Sequence, residues 1–329
     1  MVTPLYNKFA GIYFSQNNME KLKVHFCDFW PDFQADNNYF YHLLSTKYNV
    51  ILDDGDPDLL FFSVDYAKTN QRSKYKNHRC KKIFYTGESV PPNFDSDTSM
   101  EVSNFQARYS IGQSDFAFSF DFSSDPRQYR LPLWALHIDW FNKKSYGNPG
   151  YLLPLNKINQ NEFTDKPKSK FCAFVFSNPT PIRVEIFNKL SEYKQVHGYG
   201  KPFNNWSDGE LTKYDIISDY KFSICFENKR YPGYYTEKPF HAKTAGTVPI
   251  YYSDSQISKD MNEKAFINYS DYDSMDSLVD HIIEVDTNDE LYNEYVNQPL
   301  FKKNKIGQHF FPNSVLSFFN STIVKNLNT

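Results

Sequence analysis

Cysteine is scarce. Cys27, Cys80, Cys172 and Cys225 are the only four in 329 residues, and no two form a C-x-x-C pair. That spacing argues against a disulfide framework. With three of the four inside apolar runs, it predicts buried free thiols in a reducing compartment. Positive charge is not in excess either: 36 Lys and Arg against 39 Asp and Glu leave a net charge of −3, so no basic footprint for nucleic acid is present. No apolar run approaches the ~20 residues that a bilayer-crossing helix needs. The first residues lack a basic stretch followed by an apolar core, so no signal peptide is expected. These absences predict a cytoplasmic protein with no transmembrane segment, at most peripheral at the inner membrane face. The sequence also contains no G-x-x-x-x-G-K-[ST], G-x-G-x-x-G, H-E-x-x-H or G-x-S-x-G, and no internal repeat or heptad run.

What is abundant is aromatic: 18% of the chain, with 31 Phe and 25 Tyr, so large rings carry much of the hydrophobic content. Apolar runs alternate with polar turns and helix-spaced segments. Strands are expected at Leu22–Phe29, Val50–Leu52, Leu59–Val64, Lys82–Tyr85 and Phe116–Phe122, with a helix over Asn38–Tyr48. Arg130–Phe141 is apolar enough for a helix or a segment leading into one. The stretch 142–170, rich in Gly, Pro, Asn and Lys, reads as a linker. The alternation then restarts with strand Phe171–Phe176 and helix Pro181–Tyr193, whose Ile182, Ile186 and Leu190 repeat at i, i+4, i+8. Val196–Gly200 and Ala265–Asn268 follow as strands, and Met275–Val285 and Asp289–Val296 as helices. The pattern predicts two consecutive α/β sheets: an N-terminal domain over 1–160, a C-terminal domain over 161–305 and a tail over 306–329.

The chemistry concentrates in Tyr220–Asp254. A short apolar strand, Phe222–Phe226, runs into the polar turn Glu227-Asn228-Lys229-Arg230, with Pro232 and Gly233 after it. Thr236 is placed to cap a helix that holds Pro239 in its first turn, and Gly246 ends that helix before strand Val248–Tyr252. Such a unit presents its ligand site at the strand's carboxyl end, beside the helix N-terminus, where Glu237 and Lys238 stand. Arg183 occupies the first turn of the helix after Phe171–Phe176, so two cations at two helix N-termini are placed to converge on one diphosphate. Pairing of Arg183 with a surface acid is the commoner alternative. In the N-terminal half Glu88, at the end of strand Lys82–Tyr85 in YTGE, stands where a general base would be needed, although a turn acid is the commoner role. The DxD strings Asp54/Asp56, Asp95/Asp97 and Asp271/Asp273 read as turn and cap residues, and no metal ligand is assigned.

The stretch FSICFENKRYPGYYTEKPFHAKTAGTVPIYYSD closely resembles the donor-site signature of the GDP-fucose-dependent α-1,3/4-fucosyltransferases, glycosyltransferase family 10. VHFCDFWPDFQADNNYF, KIFYTGE and FCAFVFSNPTPIRVEIFNKL resemble its bacterial branch, so the likeness runs from about residue 22 to 300. It implies a GT-B fold, two Rossmann-like α/β domains facing each other across a cleft. The implied reaction is inverting transfer of L-fucose from GDP-β-L-fucose to O3 (or O4) of N-acetylglucosamine in lactosamine-type glycans, giving a Lewis-antigen type product. By the same resemblance Glu88 matches the general base, Arg183 and Lys238 the diphosphate cations, Glu237 the acid on the nucleotide hydroxyls, and Asn228 and Tyr234 further donor contacts. The implied partners are GDP-fucose and a glycan acceptor containing N-acetylglucosamine. No cofactor is required, leaving a divalent metal at most a stimulatory part. Ser89, Tyr235, Pro239 and Ser253-Asp254 depart from the usual pattern. A GT-B transferase using another nucleotide sugar, or an inactive binder of nucleotide or glycan, is the alternative.

Overall fold

The computed structural model describes residues 19–64, 69–88, 114–158, 167–200, 203–205 and 213–327. In the first half, strands β1 (Lys21–Cys27), β2 (Asn49–Leu52), β3 (Leu59–Phe62), β4 (Lys81–Tyr85), β5 (Phe116–Ser119) and β6 (Gln128–Arg130) form one sheet in the order β2-β1-β3-β4-β5-β6. Every pairing in it is parallel. A parallel sheet is covered on both faces, which is why β3 reads LLFF with all four residues buried. Register sorts those residues. Phe26, Phe61, Ile83 and Phe116 lie in one row across four strands and face the larger core. Their neighbours Cys27, Phe62, Phe84 and Ala117 face a smaller cluster on the other side.

A two-stranded pair, β7 (Ile138–Asp139) and β8 (Leu153–Pro154), extends this half. The second sheet contains β9 (Lys170–Val175), β10 (Val196–Tyr199), β11 (Tyr220–Phe226), β12 (Val248–Tyr252) and β13 (Ile267–Asn268), again all parallel, in the order β10-β9-β11-β12-β13. One face, carrying Cys172, Phe222, Ile224 and Ile250, packs on helices Pro181–Tyr193 and Met275–Thr287. From the opposite face Cys225 and Tyr251 join the core of the first half.

Three stretches differ from their sequence reading. Arg130–Phe141 is not one helix. Pro132 starts a four-residue helix, α1 (Leu133–Leu136), between β6 and β7, because its fixed φ suits a helix start and its missing N–H forbids an earlier one. The stretch read as a linker packs instead: Tyr146, Leu152, Leu153 and Ile158 are buried in the first core, while 159–166 lie outside the described residues. The tail also folds back onto that core. Helix α2 (Pro312–Phe318) and the turns after it bury Val315, Phe319 and Ile323, and Phe319 stacks on Phe118 with ring centroids 5.0 Å apart. Among the described residues no helix is long and apolar enough to cross a membrane, and the four cysteines are buried thiols outside any disulfide.

Candidate active site at the junction of the two sheets

Strand β11 ends at Phe226 on the carboxyl edge of the second sheet, and the next residue, Glu227, is fully buried. A carboxylate persists in such a place only when paired and hydrogen-bonded. Its Oε1 accepts from the Thr236 hydroxyl at 2.5 Å, the Thr236 N–H at 3.3 Å and the Tyr251 hydroxyl at 3.0 Å. Its Oε2 accepts from Lys238 Nζ at 2.7 Å, which also donates to Thr236 Oγ1 at 2.9 Å. Burial pulls the Lys238 ammonium down, but the Glu227 and Glu237 carboxylates outweigh it and hold the group above its ordinary value. Thr236 is therefore not the helix cap expected from sequence. Its hydroxyl belongs to Glu227, and Glu237 takes the cap position of helix Lys238–Thr244, its side chain making no capping bond to that helix.

Arg183 arrives from the first turn of helix Pro181–Tyr193 and is buried beside the same carboxylate. Its Nε donates to the carbonyl of Phe226 at 2.9 Å, its Nη2 to the same oxygen, and its Nη1 to Asn178 O at 3.1 Å. Burial lowers its affinity for a proton and Glu227 opposes that shift. The structure thus brings Arg183 and Lys238 together around Glu227, with both cations already engaged and neither on a surface acid. A buried guanidinium must satisfy its donors, and the last carbonyl of a strand is the acceptor within reach. Three of its five N–H groups are used in these bonds, which leaves two outside them.

Asn228 follows half-buried. Tyr234 is buried under the edge of Phe120, ring centroids 5.2 Å apart, so the loop of the second half is covered by a residue of the first. That closure is tight at Gly233. Its φ is +87°, and a Cβ there would stand 2.3 Å from the carbonyl oxygen of Phe120. Gly233→Ala is accordingly expected to destabilise the protein by roughly 1–3 kcal/mol. Thermal denaturation checks this, and an unchanged midpoint would show that the Phe120 backbone gives way to the added methyl.

Arg130 fastens the same seam. Its guanidinium makes a bidentate pair with Asp260 at 2.9 and 2.8 Å, and donates to the carbonyls of Phe120 at 2.9 Å and Gly233 at 3.3 Å. Trp134 of α1 stacks on Phe240, centroids 4.9 Å apart, and its Nε1 reaches Asp260 at 3.4 Å. Glu237 stands 3.9 Å from His137 Nε2 across the junction.

Glu88 lies half-buried past β4, with its N–H donating to Thr86 Oγ1 at 3.0 Å. Gly87 beside it has no room for a side chain, since a Cβ would meet Leu133 of α1 at 2.7 Å. Helix α1 therefore touches both the turn that carries Glu88, through Leu133, and the helix that carries Lys238, through Trp134. Nothing in the sequence singles out Glu227, Arg130, Asp260 or His137. A carboxylate after an apolar strand is the one available signal, and it reads as part of a polar turn. No group of three or more His, Cys, Asp or Glu among the described residues is disposed to hold a metal ion. Asp54 and Asp56 sit in a turn where Asp53 Oδ1 accepts the N–H groups of Gly55 and Asp56, and Asp95/Asp97 lie outside the described residues.

Two family profiles match the chain: "Glycosyltransferase family 10 (fucosyltransferase) C-term" over residues 165–308, and "Alpha-(1,3)-fucosyltransferase FucT N-terminal domain" over 24–137. Alpha-(1,3)-fucosyltransferase FucT of Helicobacter pylori is 28% identical over 335 residues, covering 93% of this chain and 66% of that protein. The human 4-galactosyl-N-acetylglucosaminide 3-alpha-L-fucosyltransferase 9 is 36% identical over 135 residues, 40% of this chain and 37% of its own length. This chain thus spans just under two-thirds of the first relative and a little over a third of the second. A solved alpha1,3-fucosyltransferase superposes with a TM-score of 0.71 at 25% identity, covering 94% of this chain and 91% of that one. A structure of an alpha1,3-fucosyltransferase with GDP-fucose superposes at 0.66, also at 25% identity, over 95% and 93%. Two parallel α/β sheets in this arrangement are the GT-B fold.

Proposed function

We propose that this chain, which belongs to glycosyltransferase family 10, the fucosyltransferases, moves L-fucose from GDP-β-L-fucose to a glycan hydroxyl with inversion. The acceptor in this reading is O3 (or O4) of N-acetylglucosamine in a lactosamine-type glycan. The observation that carries the reading is the buried Glu227–Lys238 pair with Arg183 beside it, at the carboxyl edge of a parallel sheet and inside the segment that matches the family. Lys238 and the unused N–H groups of Arg183 meet the diphosphate. Glu237 takes nucleotide hydroxyls, and Asn228 and Tyr234 complete the donor contacts. Glu88 acts as general base. The acceptor O–H proton passes to its carboxylate as the oxygen attacks the anomeric carbon from the face opposite GDP. The bond from that carbon to the β-phosphate oxygen breaks, and GDP leaves with the electron pair. Preorganised cations stabilise that leaving charge, and losing one such contact typically costs on the order of 3 kcal/mol, about a hundredfold in rate.

The test incubates the purified protein with GDP-fucose or GDP-mannose and with N-acetyllactosamine, its type-1 isomer and lactose. Fucosylated product from GDP-fucose is expected. Binding of GDP-fucose without transfer to any acceptor of a broad panel would leave a nucleotide-binding protein in place of an enzyme. Transfer from GDP-mannose alone would overturn the donor.

A further inference from the structure

Arg130 ends β6 at the edge of the first sheet, opposite Ser119 of β5 in the register. Its side chain leaves that sheet and binds three separate segments of the chain. Nε donates to the carbonyl of Phe120, the residue after β5, at 2.9 Å. Nη1 and Nη2 each take one oxygen of Asp260, at 2.9 and 2.8 Å. Nη2 also donates to Gly233 O at 3.3 Å, in the loop between β11 and helix Lys238–Thr244. The two charged side chains are 12% and 2% exposed, so water has little access to the pair. A guanidinium is planar and rigid, and segments bound to its three nitrogens are held in one fixed relation. An ammonium imposes no such plane.

The loop that Arg130 reaches is the one that carries Tyr234. The second half fixes its far end: the Thr236 hydroxyl is bonded to Glu227, and the Tyr235 hydroxyl donates to Asp254 Oδ1 at 3.1 Å. The middle of the loop is held from the first half. Arg130 donates to Gly233 O, and the Phe120 carbonyl closes on Gly233 so tightly that a Cβ would stand 2.3 Å from it. The Phe120 ring meets those of Tyr231 and Tyr234 edge-on, with centroids 5.9 and 5.2 Å away. Phe120 is itself held by Arg130 Nε. One side chain thus fixes both the loop and the residue that covers it. The Asp260 pair alone would join the two halves, and it is the bonds to Phe120 O and Gly233 O that place Tyr234.

We propose that Arg130 is a positioning residue for donor binding. It belongs to the first half and acts through Gly233 and Phe120, which set the loop that carries Tyr234, so donor affinity depends on both halves and not on the second sheet alone. The assignment rests on the fucosyl-transfer reading above, in which Tyr234 is a donor contact.

The experiment measures the thermal midpoint and, well below it, the dissociation constant for GDP-fucose in the wild type, Arg130→Met and Arg130→Met/Asp260→Leu. The single variant leaves Asp260 buried without its cation, so its midpoint should fall. The second substitution removes the stranded charge and should restore most of that loss. Were Arg130 only a strap between the halves, donor affinity would return with the midpoint. As a positioning residue it is not replaced, because neither variant supplies a donor to Gly233 O. The dissociation constant should therefore stay raised about tenfold in both, the loss of one hydrogen bond from a charged group. Wild-type affinity in the double variant would overturn the role. If neither methionine variant folds, Arg130→Lys decides, since it keeps a cation against Asp260 without the planar fork. Weaker donor binding at a midpoint near that of the wild type supports the role, and unchanged affinity overturns it. A wild type that binds no GDP-fucose would overturn the fucosyl-donor reading, and this role with it.

Discussion

Glu88→Gln is expected to lower fucosyl transfer to N-acetyllactosamine by about a hundredfold to ten-thousandfold, the usual contribution of a positioned general base, while the dissociation constant for GDP-fucose changes little. The substitution keeps the size and the hydrogen-bonding outline of the side chain and removes its capacity to take a proton. The backbone around it is fixed independently of the carboxylate. Thr86 is fully buried and its N–H is hydrogen-bonded to Phe118 O at 3.3 Å, the Glu88 N–H is held by Thr86 Oγ1, and Gly87 is pressed against Leu133. None of these contacts uses the charge. The junction at Glu227, Lys238 and Arg183, proposed above as the donor site, belongs to the other sheet, and the bonds described there do not reach Glu88. Single-turnover rates together with calorimetric titration of GDP-fucose separate the two quantities. Retention of more than about a tenth of the rate would remove Glu88 from the role of base, and a parallel loss of donor affinity would place it in the donor site.

The parts of the fold legible in the sequence are those whose signal is local. Helix Pro181–Tyr193 has its observed bounds in the sequence because a proline opens it and Ile182, Ile186 and Leu190 repeat along it, with Ile186 and Leu190 buried on the sheet. Strands such as Leu59–Phe62 are legible because burial on both faces of a parallel sheet leaves an unbroken apolar run. Arg130–Phe141 misled because apolar residues in strand, single-turn helix and strand again give no single period. The tail hid a four-residue spacing, Val315, Phe319 and Ile323, among aromatics that face elsewhere, and its partner sheet is some two hundred residues earlier in the chain.

The candidate site divides in the same way. Asn228, Tyr234, Glu237 and Lys238 fall within one loop and helix start, so their chemistry is crowded enough to be noticed. Glu227 looks like one more turn acid until Thr236, Lys238 and Tyr251 are seen around it, 9, 11 and 24 residues away. Arg130 and Asp260 stand 130 residues apart, and neither has a local pattern that points to the other.

Glu227→Ala is expected to be the most destabilising single change at the junction, on the order of 3–5 kcal/mol, the range for removing one partner of a buried ion pair. The carboxylate accepts four hydrogen bonds, and its removal leaves the Lys238 ammonium buried with the Thr236 hydroxyl as its remaining hydrogen-bond partner. The Thr236 and Tyr251 hydroxyls lose their acceptor in the same step, and Arg183 loses the carboxylate that most opposes its burial. Glu227→Gln is the sharper test. It retains an acceptor oxygen but turns an amide N–H₂ toward groups that are themselves donors, so it should cost less than the alanine yet still lower donor affinity. Lys238→Met in the same background relieves the unpaired charge, so the double variant Glu227→Ala/Lys238→Met should be more stable than Glu227→Ala alone while still failing to hold GDP-fucose. Chemical denaturation of the three variants, with donor titration of those that fold, checks the sequence of effects. Equal stabilities for Glu227→Ala with and without Lys238→Met would show that the two charges are not coupled, and the junction would then be held by the hydroxyl and backbone hydrogen bonds alone.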